Sequence, residues 1–243
     1  MTDGDLAAHL ANVAGKILIE VRESGMFEGK SLGKAGDQTA NQFLVHALRE
    51  QRAEDGLLSE EEKDNAERLA KERVWIVDPV DGTREYGEAR ADWAVHVGMA
   101  VNGVPTLGAV ALPGADMVLR SDQPGEIPAA PEKLRMVVSR TRPAKEATGV
   151  CEAIGGELVP MGSAGAKAMA ILRGEADIYL HSGGQYEWDS CAPAAVALGW
   201  GLHASRIDGS PLVYNQEDVY MPDLLICRKE HAEMVLEKVK AFL

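Results

Sequence analysis

The chain has only three cysteines, and their placement argues against a structural or metal-binding role. Cys151, Cys191 and Cys227 are an odd number at wide spacing, so they form neither a secreted disulfide framework nor a C-x-x-C pair. We expect all three to be buried free thiols.

Several other sequence signals are missing. No apolar run approaches the roughly 18–20 residues that cross a bilayer, and the amino terminus lacks the basic and apolar segments of a signal peptide, so we expect a cytoplasmic protein. The histidines show no H-x-H or H-E-x-x-H spacing, which argues against a zinc hydrolase. Neither a G-x-G-x-x-G nor a Walker loop is present, which argues against dinucleotide oxidoreductases and P-loop NTPases.

Positive charge is in short supply. The 25 basic and 38 acidic side chains give a net charge of −13. Such a surface repels nucleic-acid polymers and anionic membranes, so we expect neither as a partner. A small phosphorylated substrate would need local cations, and bound divalent metals could supply them.

The chain is long enough for one or two domains. Residues 121–131 contain three prolines and a glycine without periodicity, which is typical of a surface connection. We therefore predict a boundary there, with an α+β half at 1–125 and an α/β half at 126–243.

Hydrophobic periodicity predicts mixed α/β structure. Two amphipathic helices begin the protein, the second after Asp37, and a buried strand at 74–77 ends at Asp78-Pro79. An antiparallel meander follows. In the second half strands and helices alternate. The predicted strands there are 134–138, 157–159, 177–180, 202–205 and 224–227, and the helices are 144–154, 165–173, 189–199 and 230–242.

The segment D-P-V-D-G-T at 78–83 is the most informative part of the sequence. A buried strand delivers Asp78 and Asp81 into a turn, and carboxylate oxygens are the ligands of hard cations. A helix starting at Thr83 would turn free N–H groups toward a phosphate. An Asp-Gly turn with Asp78 as a helix cap explains this segment equally well on its own.

Two further acidic segments strengthen the first interpretation. Glu60 and Glu61 follow a short apolar strand, and Trp188-Asp189 opens a predicted helix. Taken singly, these residues are more often a solvated charge run and a helix cap.

Together the three segments resemble the signatures of the inositol monophosphatase superfamily: Glu-Glu after a strand, D-P-x-D-G-T, and a distant W-D-x-x-A. The resemblance covers nearly the whole chain. It implies a layered αβαβα sugar-phosphatase sandwich that uses two or three Mg²⁺ ions. The metal ligands it implies are Glu60, Asp78, the carbonyl of Val80, Asp81 and Asp189.

The resemblance also implies how water attacks the phosphate. Asp37 and Thr83 would form a hydrogen-bonded pair that activates the water, and Glu60 and Asp81 would complete the catalytic set. Cations would lower the pKa of the water and stabilise the leaving oxygen, with no phosphoenzyme. Asp37 read alone could be a simple helix cap. Sensitivity to Li⁺ is a further implication.

Secondary motifs favour one branch of the superfamily. D-G-T-R-E-Y at 81–86, S-R-T-R-P at 139–143 and G-S-A-G-A-K at 162–167 resemble the 3′(2′),5′-bisphosphate nucleotidases, whereas 183–187 departs from both branches. Arg140 and Lys167 are the cations expected to hold a second phosphate. Each could also be an ordinary surface residue. The implied substrate contacts are Gly82, Thr83, Arg84, Ser139, Arg140, Gly162, Ser163, Lys167 and Asp189.

The expected activity is Mg²⁺-dependent removal of the 3′-phosphate from 3′-phosphoadenosine 5′-phosphate, and from 3′-phosphoadenylyl sulfate, in the nucleotide turnover of sulfate assimilation. Inositol 1-phosphate or fructose 1,6-bisphosphate hydrolysis on the same fold is the first alternative. A non-catalytic nucleotide or metal sensor is the second. A homodimer is one allowed assembly.

Overall fold

The computed structural model describes residues 1–243 and contains two five-stranded sheets, one from each half of the chain. The helices are α1 (Asp3–Glu23), α2 (Gly29–Gln51), α3 (Thr83–Gly87), α4 (Lys145–Ala153), α5 (Ala164–Leu172), α6 (Glu187–Gly199) and α7 (Ala232–Val239). The strands are β1 (Gly56–Ser59), β2 (Arg73–Asp81), β3 (Ala94–Val101), β4 (Val104–Leu112), β5 (Met117–Arg120), β6 (Arg135–Ser139), β7 (Glu157–Met161), β8 (Ile178–Tyr186), β9 (His203–Ser205) and β10 (Tyr220–Cys227).

The first sheet has the order β1-β2-β3-β4-β5 and is antiparallel except for the parallel pair β1 and β2. The second has the order β7-β6-β8-β10-β9, in which β6 runs parallel to β7 and β8 while β10 is antiparallel to its neighbours. The predicted meander and the predicted alternation of the second half are both confirmed.

Successive side chains of each strand point to opposite faces of its sheet, and helices pack on both faces, which produces five layers. In β2, Trp75 and Val77 face the helices α1 and α2, whereas Val74 and Ile76 face a cluster that also contains residues of α5 and α6. Helices α4 and α7 cover the far side of the second sheet. The layered αβαβα sandwich is therefore confirmed. None of the helices is long and apolar enough to span a membrane.

The central cluster takes side chains from both sides of the segment at 121–131, including Val110 from β4 and Val196 from α6. Helix α6 packs so closely on the first sheet that a Cβ on Gly108 would come within 2.4 Å of the Ala192 carbonyl oxygen. The halves thus share a core, and a division at residue 125 stays a prediction.

The second helix begins earlier than predicted. Helix α2 starts at Gly29, so Asp37 lies in its interior and is not a cap. The hydrophobic pattern indicated only the second half of this helix, because the first half contains three glycines. Two of them allow close contact with α3: a Cβ on Gly33 would be 2.8 Å from Thr83 Cγ2, and one on Gly36 would be 2.6 Å from the ring of Tyr86.

Two strands also continue further than predicted. Strand β2 does not stop at Asp78 but runs to Asp81, with an irregular register between these residues that absorbs Pro79. Strand β8 runs to Tyr186 through Gly183 and Gly184, which both have positive φ values, of 76° and 71°. Four residues of the segment that departs from both branches of the superfamily, 183–186, are therefore the end of a sheet strand, and Glu187 begins α6.

Candidate active site

Three carboxylates converge where the two halves meet. Asp78 and Asp81 lie at the end of β2, Asp189 lies in the first turn of α6, and ligand oxygens of all three lie within 4.8 Å of one another. Asp78 is 2% exposed and Asp81 5% exposed. Asp189 is half-buried. Three oxygen donors at this spacing are a suitable cage for a hard divalent cation.

Electrostatics in this cluster favour a cation. Burial and then repulsion from Glu60, Asp81 and Asp189 raise the pKa of Asp78 well above its ordinary value. Burial and repulsion from Asp81 raise the pKa of Asp189 to about 7. The pKa of Glu60, which follows β1, rises to about 7, chiefly through burial. Adjacent acids with such raised pKa values take up either protons or positive ions.

Asp81 is the exception, because it is already surrounded by donors. Burial alone would raise its pKa, but His96, the Ser163 hydroxyl and Lys167 outweigh burial and hold the pKa well below its usual range. The Ser163 hydroxyl and two backbone amides at the start of α5, those of Ala164 (3.1 Å) and Gly165 (2.6 Å), donate to its carboxylate. This carboxylate thus joins β2 to α5.

His96 links two of the motifs. The ring is completely buried, with Nε2 at 3.2 Å from Asp81 Oδ2 and Nδ1 at 3.0 Å from the Trp188 carbonyl oxygen. Burial lowers the pKa of His96, but Asp81 and the Trp188 carbonyl outweigh burial and raise it. Because both ring nitrogens face acceptors, the charged imidazolium suits this position.

Asp37 and Thr83 are neighbours across the interface of α2 and α3. Burial and then the charges of Glu61 and Glu60 raise the pKa of Asp37 to about 8, and Thr83 lowers it only partly. The Thr83 hydroxyl, however, donates to the Val80 carbonyl oxygen at 3.1 Å, and Asp37 Oδ1 has no hydrogen-bond partner. The structure therefore places Asp37 and Thr83 side by side, and their action as a water-activating pair stays a prediction.

Two cavities adjoin the carboxylates. The first, of about 780 Å³, brings together Asp37, Thr83 and Arg84, along with Lys30 and Lys34 of α2. The second, of about 370 Å³, is large enough for a small ligand. Its lining includes these residues predicted from the sequence: Asp81, Gly82, Arg84, Ser139, Arg140, Gly162, Ser163, Lys167 and Asp189. The second cavity thus collects every predicted substrate contact except Thr83, whereas Glu60, Asp78 and Val80 line neither cavity.

Glycine is required at two predicted contacts. Gly82 has a φ of 88°, in the left-handed region, and its carbonyl accepts the first hydrogen bond of α3 from the Tyr86 amide. Gly162 donates its amide to Asp92 Oδ2 at 2.7 Å, and a Cβ there would lie 2.3 Å from Glu85 Cγ. Both glycines bring backbone close to the cavity wall.

The predicted cations are already engaged by the protein. Arg140 donates to Glu85 and Glu88 at 2.8 Å each, and Arg84 donates to Glu88 at 2.8 Å. Lys167 is 5% exposed, donates to the Ser163 carbonyl oxygen, and lies over the ring of Tyr179. These contacts hold the cavity wall together.

Sequence reasoning missed several lining residues of the second cavity. These are Arg142, Tyr179, His181 and Gln185. Arg142 lies within the S-R-T-R-P motif and could have been found from it. The other three lie on β8, where the strand pattern gives no sign of which face lines a cavity.

The family model for the inositol monophosphatase family matches residues 5–242. A 3′-phosphoadenosine 5′-phosphate phosphatase of Mycobacterium leprae is 48% identical over 255 residues, covering 99% of this chain and 94% of the relative. The enzyme of the same name from Mycobacterium tuberculosis is 50% identical over 234 residues, covering 92% and 88%.

Solved structures agree with the fold. Inositol monophosphatase II of Staphylococcus aureus superposes with a TM-score of 0.80 at 20% identity, covering 96% of this chain and 94% of that chain. CysQ of Bacteroides thetaiotaomicron superposes with a TM-score of 0.77 at 24% identity, covering 92% and 96%. Given the match over residues 5–242 and the relatives near half identity, the chain belongs to the inositol monophosphatase family.

Proposed function

We propose that this protein is a phosphomonoesterase that removes the 3′-phosphate of 3′-phosphoadenosine 5′-phosphate, producing AMP and inorganic phosphate. One observation carries the proposal: a carboxylate cluster with two buried members and one half-buried member opens onto a cavity lined by eight of the nine predicted substrate contacts. The names of relatives at 48% and 50% identity support this substrate. Removal of the same phosphate from 3′-phosphoadenylyl sulfate, and a place in sulfate assimilation, extend the proposal.

Two or three Mg²⁺ ions are the cofactor that we assign to the cluster. Glu60, Asp78, Asp81, Asp189 and the Val80 carbonyl would hold them. All five donors are oxygens, the ligand type of Mg²⁺. When bound, the ions neutralise the acids and the phosphoryl oxygens and lower the pKa of water.

The chain's own residues then orient the reaction. Once bound ions neutralise the neighbouring acids that raise its pKa, Asp37 would accept a proton from the attacking water, because its Oδ1 is buried without a partner while the Thr83 hydroxyl donates to the Val80 carbonyl. The amides at the start of α5 and His96 fix Asp81 in one orientation. The walls of the second cavity would position the ester bond of the nucleotide.

A substrate panel tests the proposal. Purified protein is assayed for phosphate release from 3′-phosphoadenosine 5′-phosphate, adenosine 3′-monophosphate, inositol 1-phosphate and fructose 1,6-bisphosphate, with Mg²⁺, with EDTA, and with Mg²⁺ plus Li⁺. We expect the highest kcat/KM for the adenosine bisphosphate, no activity in EDTA, and inhibition by Li⁺. A higher kcat/KM for an inositol or fructose ester would show that this ester, and not the adenosine bisphosphate, is the preferred substrate. The absence of turnover for all four compounds would favour a non-catalytic nucleotide or metal sensor.

A further inference from the structure

We propose that Arg142 is the residue that recognises the second phosphate of the substrate and so separates nucleoside bisphosphates from monophosphates. The inference rests on the proposed function and concerns the second cavity, whose wall includes four basic side chains: Arg84, Arg140, Arg142 and Lys167. Of the four, only Arg142 has a side chain that makes neither a hydrogen bond nor an ion pair within the protein.

Arg84 and Arg140 form a closed group with two acids. Arg140 donates to Glu85 Oε1 and Glu88 Oε2, and Arg84 donates to the other Glu88 oxygen. Two positive and two negative charges cancel within this group. A phosphate approaching either arginine would have to displace a carboxylate or share the guanidinium with it, so little net attraction remains.

Lys167 is unsuitable for a different reason. Its Nζ is buried, donates to the Ser163 carbonyl oxygen and lies 5.3 Å from the centroid of the Tyr179 ring. Burial lowers the pKa of Lys167, and the acid that opposes this effect most strongly is Asp81 of the cluster, followed by Glu85 and Asp189. The positive charge of Lys167 therefore stabilises the end of the cavity that holds the reacting phosphate.

Arg142 lies in the same cavity but has no partner. Its side chain makes no hydrogen bond or ion pair. Its backbone amide donates to Ser139 Oγ at 3.2 Å. Ser139 thus fixes the turn that presents Arg142. Glu146, four residues further along the chain, forms no ion pair with Arg142 and accepts a hydrogen bond from the Ser182 hydroxyl at 2.6 Å.

The surroundings of the guanidinium suit an anion. Arg142 Nη1 would be 3.7 Å from a Cβ on Gly184, so the guanidinium lies beside the exposed glycine segment of β8 at the cavity wall. His181 also lines the cavity, and burial followed by the charges of Lys167 and Arg142 lowers its pKa to about 4. His181 is therefore neutral at pH 7. An exposed, planar and unpaired guanidinium is the group that binds phosphate best in proteins.

The test compares two substrates that differ only in the second phosphate. For the variant Arg142→Ala we expect kcat/KM for 3′-phosphoadenosine 5′-phosphate to fall about 10-fold to 100-fold, whereas the value for adenosine 3′-monophosphate changes less than about threefold. Arg142→Lys retains the charge, so its kcat/KM for the bisphosphate should lie between the values of the wild type and of Arg142→Ala. Lys145→Ala is the matched control, because Lys145 is an exposed cation three residues away that does not line the cavity.

Product binding gives a second readout that does not depend on turnover. Calorimetry with Mg²⁺ should show at least about tenfold weaker binding of AMP to Arg142→Ala than to the wild type, with adenosine bound equally by both. Equal losses for both substrates, or unchanged AMP binding, would overturn the role of Arg142. A wild-type enzyme that prefers inositol or fructose esters would instead overturn the proposed function, and the role of Arg142 with it.

Discussion

Replacing Asp37 by Asn should remove activity and at the same time stabilise the metal-free protein at alkaline pH. Asp37 is 7% exposed, and its Oδ1 has no partner. Burial and then the charges of Glu61 and Glu60 raise its pKa to about 8. The ionised form is thus unfavourable in the folded chain, and Asn is an isosteric neutral replacement.

The sign of the stability difference follows from the number of protons that the folded and unfolded chains bind. In the unfolded chain Asp37 loses its proton near its ordinary value of 3.8, but in the folded chain it keeps the proton until about pH 8. The folded state therefore binds more protons between these values, and the free energy of unfolding falls as pH rises through this window. Below the window the carboxyl is protonated in both states, so the wild type and the Asn variant should be equally stable.

The magnitude is bounded by the change in proton affinity. Each pKa unit is worth about 1.4 kcal/mol, so a rise from 3.8 to about 8 gives an upper limit of roughly 5–6 kcal/mol. Because Glu60 and Glu61 can reorient and take up protons themselves, we expect the Asn variant to exceed the wild type by about 2–3 kcal/mol above pH 8. Near pH 5 most of this difference should vanish.

Urea unfolding in EDTA at pH 5 and pH 8.5 measures this difference, and phosphate release with Mg²⁺ measures the lost activity. Asp177→Asn is the matched control. Burial alone would raise the pKa of Asp177, but Arg135 and Arg228 outweigh burial and lower it. That variant should therefore be less stable than the wild type by the same amount at both pH values. An Asp37→Asn protein that is no more stable at pH 8.5, or that keeps full activity, would refute the reasoning.

Two further substitutions test the centre of the site. Asp81→Asn should lower kcat/KM at least about a hundredfold because it weakens a metal ligand, and near-normal Mg²⁺-dependent phosphate release across a magnesium titration would contradict the ligand assignment. Gly165→Ala would place a Cβ 2.0 Å from His96 Nε2. Because His96 is fully buried and cannot move aside, we expect the free energy of unfolding measured in urea to fall by about 1–3 kcal/mol. A fall of less than about 0.5 kcal/mol would show that the His96 ring is free to move.

Short motifs identified three carboxylates that the fold brings together, because each lies at the end of a strand or in the first turn of a helix. Asp78, Asp81 and Asp189 are brought together in this way across more than a hundred residues of sequence. The pairing of charges was not predictable. Glu85 lies 55 positions from Arg140, and only the fold shows that the two neutralise each other. The early start of α2 was hidden for a similar reason, since its glycines are explained by contacts with α3.

The same arrangement explains how a cluster of like charges survives folding. Asp81 is the one acid of the cluster whose pKa is lowered, and the groups that lower it belong to β3 and α5. Asp78 and Asp189 each accept only one backbone hydrogen bond, from Val80 and Tyr186. Burial and repulsion therefore prevail at the other acids, and their pKa values are raised. A divalent ion that binds only the folded chain must therefore add to its stability, and more strongly as pH rises, because each proton it displaces is bound less tightly. Catalytic activity and conformational stability would then both depend on bound magnesium.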